Sequence, residues 1–144
     1  MTTRTATPIL DQETADRLSA GFHRCFSDFE VDENLFAPTV FFDLLPPMWR
    51  FQIEGSGEDF ANQLRSIAGG PVEVDVVRTV PMADGFVTEH VETMDTPEGV
   101  MVARRVHLCQ VSDGRITAAT TYCNGGWDEE LRTRHAAEAP MIRP

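Results

Sequence analysis

The spacing of apolar and polar positions divides the chain into two helical stretches, a long strand-forming region and a terminal helix. Ala15, Leu18, Phe22, Cys25, Phe26 and Phe29 recur every three to four residues, which predicts a helix over about 11–28 with Asp11 as its N-cap. A stripe of that kind needs a broad apolar partner. Asp32, Glu33 and Asn34 predict a further helical turn carrying Leu35 and Phe36, ended by Pro38. The β-branched and aromatic run 39–45 and the segment 48–53 predict two short strands on either side of Pro46-Pro47. Gly55 to Asp59 then supply a turn and a cap for a second helix bearing Phe60, Leu64 and Ile67, which Gly69-Gly70-Pro71 stops.

Beyond residue 71 the hydrophobic period changes from about 3.6 to 2. Asp84-Gly85, Pro97-Glu98-Gly99 and Asp113-Gly114 are turn signals that cut 72–123 into four strands of roughly ten residues, the pattern of a bent antiparallel meander. Gly125-Gly126-Trp127-Asp128 opens a third helix reaching about Glu138, while 1–8 read as a flexible arm and 139–144 as a tail interrupted by prolines. A chain of 144 residues without internal repeats has core enough for one domain, here 1–144, rather than two. The element order predicts an α+β fold in which three helices enclose a curved, mostly antiparallel sheet.

Composition narrows the function classes. A formal net charge of −11 repels a phosphate backbone, so nucleic acid is not an expected partner. No run of about 18 apolar residues is present and the N-terminus lacks the apolar stretch of a signal peptide, so a cytoplasmic protein without a membrane partner is expected. Cys25, Cys109 and Cys123 contain no CxxC pair and read as buried thiols. The absence of a Gly-rich phosphate loop and of metal-ligand spacing predicts neither an organic cofactor nor a metal.

Several segments carry a family likeness: Asp28-Phe29 with Asp32 behind it, Phe41-Phe42-Asp43, the stretch from Gly85 to Glu92, and Val111 to Ile116 leading to Thr121-Tyr122-Cys123-Asn124. In these and in element order the chain resembles the nuclear-transport-factor-2-like superfamily, in particular its SnoaL-like branch of polyketide cyclases and limonene epoxide hydrolases. The resemblance implies a cone-shaped, cystatin-like α+β barrel with an apolar pocket, homodimeric through the outer sheet face. It also implies enzymes that are mostly cofactor-free, such as isomerases, dehydratases, cyclases and epoxide hydrolases, alongside members that only bind. In the epoxide hydrolases, an Arg and an Asp two apart on one strand and an Asp on the last strand activate water and protonate the epoxide. His90, Glu92 and Thr121 stand at those positions here, so the second carboxylate is missing and epoxide hydrolysis is not the expected activity.

His90 and Glu92, two apart on a strand, share a face, and a carboxylate beside an imidazole can orient it as a general acid or base. Alternation leaves the face open, because Glu89 interrupts the apolar series Val87, Glu89, Val91. Asp43 is the third catalytic candidate, set in an apolar context that would raise its pKa if buried, with an outward tilt at the strand end as the competing placement. Phe42, Trp49 and Phe51 are candidates for an apolar pocket wall, and Arg105, His107 and Thr121 for polar substrate-binding groups. His90, Glu92 and His107 could hold a metal chemically, but no ligand-spacing signature supports it, and His23 and His135 receive no role. The expected activity is cofactor-independent acid–base catalysis on a hydrophobic, oxygenated small molecule such as a polyketide-like metabolite, of cyclase, isomerase or dehydratase type. A non-catalytic ligand-binding or dimeric interaction module is the alternative.

Overall fold

A computed structural model of the chain describes residues 9–143. Helix α1 (Gln12–Ser27) begins where the Asp11 carboxylate accepts the Thr14 N–H at 2.8 Å. Strands β1 (Phe36–Leu45) and β2 (Phe51–Gly55) lead to α2 (Gly57–Ala68), which opens on a reciprocal Ser56/Asp59 capping box and closes on left-handed Gly69. The meander follows as β3 (Val72–Met82), β4 (Gly85–Thr96), β5 (Gly99–Ser112) and β6 (Arg115–Cys123), and α3 (Glu129–Glu138) comes last. The three turn signals of the sequence fall at the three hairpins.

The six strands form one curved, unclosed sheet in the order β2-β1-β6-β5-β4-β3, with β1 parallel to β6 and every other pair antiparallel. Helix α1 lies across β3 and β4, and α2 lies over β1. Between helices and sheet sits an aromatic core: Phe60 of α2 stacks on Phe42 of β1 at 4.0 Å between ring centroids and faces Phe22 of α1 at 6.0 Å. Burial of this stripe is what holds α1 to the sheet.

Two local expectations are corrected. The segment 32–36 is a turn and not a helix: Asn34 is left-handed, Ile116 donates its N–H to the Leu35 carbonyl at 2.9 Å, and Phe36 already belongs to β1. Pairing with β6 therefore outweighs local helix propensity, and Pro38 is tolerated inside β1 because the β1–β6 register slips between Phe36 and Phe41. The third helix does form, yet it buries no residue and meets the sheet chiefly at β5, so the buried helical cover of the sheet comes from α1 and α2. Its sequence, EELRTRHAAE, has no apolar stripe to bury. The expected arm 1–8 lies outside the described residues.

The outer face of the sheet is also apolar in part, exposing Phe41, Val80, Leu108 and Tyr122. Among the described residues, no helix is long and apolar enough to cross a membrane.

Gly85 is the tightest point of the meander, since a Cβ there would lie 1.8 Å from the Cys109 carbonyl oxygen of the neighbouring strand. Gly85→Ala is expected to cost about 2–4 kcal/mol in urea unfolding, because backbone rather than a mobile side chain has to move. Gly70→Ala, which meets nothing within 4 Å, should stay within about 0.5 kcal/mol of the parent.

Candidate functional site

β4 turns Thr88, His90 and Glu92 inward, where all three are buried under α1, and Val87, Glu89 and Val91 outward. The paired strand β5 adds Arg105 and His107 to the same inner face, and β6 adds Thr121. From above, α1 contributes Ser19, His23 and Phe26. A polar layer thus lies inside an otherwise apolar core.

Its members are linked in sequence. The His107 Nδ1 and the Thr121 hydroxyl are 2.8 Å apart, and the other His107 nitrogen, Nε2, is 3.0 Å from His90 Nδ1. His90 Nε2 stands 3.7 Å from the Glu92 carboxylate, whose other oxygen accepts a hydrogen bond from the Arg105 guanidinium. On the helix side, His23 Nε2 and the Thr88 hydroxyl are 2.8 Å apart, and Thr88 also joins Ser19 and Thr79 through their hydroxyls. Two ring nitrogens, His23 Nδ1 and His90 Nε2, are buried without a hydrogen-bond partner among the described residues.

Below this layer a cavity of about 370 Å³ opens between α2, β1 and the far ends of β4 and β5. Its wall is apolar, with Phe26, Phe29, Leu44, Phe51, Leu64 and Met94 prominent, and Glu92 and Arg105 are the charged side chains that reach it. His90 and His107 do not line it. The Phe26 ring stands between, 5.1 Å from the His90 ring and 4.9 Å from that of His107, with the Arg105 guanidinium over the Phe26 ring at 5.6 Å from its centroid.

Burial drives the electrostatics. It would push the Glu92 carboxyl up, but His90 and Arg105 more than offset it, so Glu92 is held below the ordinary carboxylate range. Desolvation, reinforced by His90, drives His23 down to about 3, and desolvation with its histidine neighbours puts His107 well below the ordinary value. Both are neutral imidazoles at neutral pH. Burial raises the Cys25 thiol to about 12 and raises Cys109 as well, which makes both inert.

The candidates from sequence therefore separate. Glu92, Arg105 and Phe51 line the cavity; His90, His107 and Thr121 lie behind it in the polar layer. The order of the His90/Glu92 pair is the reverse of the expected one, since the carboxylate faces the cavity and the imidazole stands behind. Asp43 takes the outward one of its two expected placements: it lies on the opposite side of β1 from Phe42 and Leu44, bound at 2.7 Å by Arg50, which holds it below the ordinary carboxylate range. Trp49 is largely exposed in the β1–β2 loop, and Phe42 is committed to stacking on Phe60, so neither is a cavity wall. His23 was not singled out by its own surroundings, although Ser19, Phe22, His23 and Phe26 at i, i+3, i+4 and i+7 mark a polar interruption of the buried stripe.

Scans against protein-family models and against the curated proteins find no match. Solved structures do match in fold. An LEH-like epoxide hydrolase from M. tuberculosis is 21% identical with a TM-score of 0.61, over 90% of this chain and 98% of that one. An NTF2-like protein of unknown function from Mesorhizobium loti is 22% identical with a TM-score of 0.63, over 82% and 97%. A candidate SnoaL-like polyketide cyclase from Jannaschia sp. is 17% identical with a TM-score of 0.56, over 92% and 99%. At these identities the likeness is one of fold.

The buried histidines fix the sign of a pH dependence. Their folded pKa values lie below the unfolded value of about 6.5, so between the two the unfolded chain binds more protons and stability falls as pH falls. Urea unfolding should lose about 2–3 kcal/mol between about pH 7 and pH 5.5, two histidines each contributing at most about 1.4 kcal/mol per pH unit. His23→Gln should flatten that slope by about half. A stability that is level across this range contradicts the burial of two neutral imidazoles.

Proposed function

We propose that this chain, which has the NTF2-like fold, is a small-molecule enzyme that moves a proton within its apolar cavity, with Glu92 as the group that meets the substrate. The observation that carries the reading is the pairing of an apolar wall with two convergent charged side chains, Glu92 and Arg105. An apolar wall selects a hydrophobic molecule, and one carboxylate with one guanidinium suits a substrate that presents an acidic C–H or O–H beside a carbonyl or other oxygen. Glu92 accepts the proton, Arg105 holds the oxygen where negative charge develops, and His90 positions the carboxylate from behind. Cyclisation, isomerisation and dehydration of a polyketide-like metabolite all require such a transfer. Resemblance in fold to an epoxide hydrolase and a candidate cyclase supports this class of chemistry.

Thr121 stands at the epoxide-hydrolase position of the second carboxylate and is bound to His107, which weighs against water activation there. Pairing of two copies through the outer face that exposes Val80, Leu108 and Tyr122 belongs to the same reading. A second reading, a binding module without turnover, is favoured by the closed Glu92–Arg105 ion pair, which leaves the carboxylate a weak base until substrate separates the two.

Mass-spectrometric screening of hydrophobic oxygenated metabolites for depletion or isomerisation separates the two. Glu92→Gln is expected to lower turnover by about 10-fold to 1,000-fold, the range of a general acid–base step. His90→Ala should lower it less and alter its pH profile, as a positioning residue would. Asp43→Asn should leave turnover unchanged. Full turnover in Glu92→Gln contradicts the proposal, and ligand binding by the wild type without conversion favours the binding module.

A further inference from the structure

We propose that His23, His90 and His107 together form a binding site for one borderline first-row divalent metal ion, of which zinc and cobalt are the test cases. One ring nitrogen of each lies within 4.8 Å of the other two, and all three residues are buried. They come from three elements, α1, β4 and β5, so the fold and not a local motif assembles them. That is why no ligand spacing marks the site in the sequence.

The outward hydrogen bonds of the three rings decide which nitrogens remain. His23 Nε2 is taken by the Thr88 hydroxyl and His107 Nδ1 by the Thr121 hydroxyl, both at 2.8 Å. His90 Nε2 faces the Glu92 carboxylate at 3.7 Å, and Glu92 is itself fixed by Arg105. The nitrogens not used outward are His23 Nδ1 and the pair His90 Nδ1 and His107 Nε2, which hydrogen-bond to each other in the metal-free protein and would exchange that bond for the ion. His23 Nδ1 has no partner among the described residues, and the other two are 3.0 Å apart, near the roughly 3.3 Å expected between imidazoles bound about 2.0–2.1 Å from one tetrahedral ion. Two hydroxyls and one carboxylate behind three imidazoles are the oxygen acceptors that commonly orient histidine ligands. With a metal on Nδ1, His90 Nε2 carries the proton, and a small approach by Glu92 satisfies the second buried orphan nitrogen.

The donor set selects the ion. Three imidazole ligands with no carboxylate or carbonyl oxygen among them disfavour calcium and magnesium and suit zinc, cobalt, nickel or copper. The site lies behind Phe26 and outside the cavity lining, and it stands or falls independently of the reading of Glu92 as a proton acceptor.

The test uses the full chain, stripped with a chelator and titrated with cobalt(II) and then zinc(II). The expected result is one cobalt per chain with the intense visible absorption of a tetrahedral nitrogen-rich site, displaced by stoichiometric zinc. His23→Ala and His107→Ala should weaken binding at least about 10-fold, as loss of one ligand group does, whereas His135→Ala should not. Circular dichroism establishes that each variant folds. Where one does not, the wild type still decides: cobalt NMR should show three distinct hyperfine-shifted imidazole N–H signals. No tetrahedral cobalt absorption in the wild type, or absorption that persists undiminished in a folded His23→Ala, overturns the site.

Discussion

The inward orientation of one row of polar residues on β4 constrains everything around it. With Thr88, His90 and Glu92 facing the core, three hydrogen-bonding groups leave water, and each lost contact costs on the order of 1–3 kcal/mol unless the protein replaces it. The neighbouring elements supply those replacements: Thr88 receives Ser19, Thr79 and His23, Glu92 receives Arg105, and His90 receives His107, itself tied to Thr121. Among the described residues the replacement is incomplete at His23 Nδ1 and His90 Nε2. A core selected for stability alone would fill this volume with aliphatic side chains. The unfinished polar satisfaction at its centre is where the proposed chemistry is placed.

Phe26 divides that chemistry into two layers. On one side is the apolar cavity with Glu92 and Arg105 at its edge, and on the other the three imidazoles and their threonines. Glu92 belongs to both, since one oxygen meets Arg105 and the other faces His90. A metal ion in the proposed imidazole site would therefore act on the carboxylate that reaches the cavity. Low dielectric inside the core keeps this coupling from being screened away.

Elements whose boundaries rest on local chemistry were legible in the sequence. Asp11, Ser56 and Gly69 mark helix ends by capping, and the three hairpin turns of the meander lie at their glycine-containing signals. What was not legible depended on partners distant in the chain. The face of β4 could not be read because both faces of the meander are partly apolar, Val80, Leu108 and Tyr122 being exposed opposite the buried Thr88 and His107. Asp43 read as a carboxylate among phenylalanines until β2 brought Arg50 against it, and 32–36 read as helix until β6 paired with it. Glu92 and Arg105 are both candidates on sequence grounds, but their joint position at the cavity edge arises from β4–β5 register, which pairs Glu92 with Ala103 and His90 with Arg105. Nothing in the local sequence marks His23, because its polar partner Thr88 meets it only where α1 crosses β4.

His23 and His107 are neutral imidazoles sealed in the core behind Phe26, and long-range ¹H–¹⁵N NMR of the histidine ring nitrogens in metal-free protein tests this directly. Both rings should keep the nitrogen shifts of neutral imidazole from about pH 7.5 down to about pH 5, well below the ordinary histidine value. Titration of either ring with a midpoint near 6.5 would place it in contact with water and contradict the sealed polar layer.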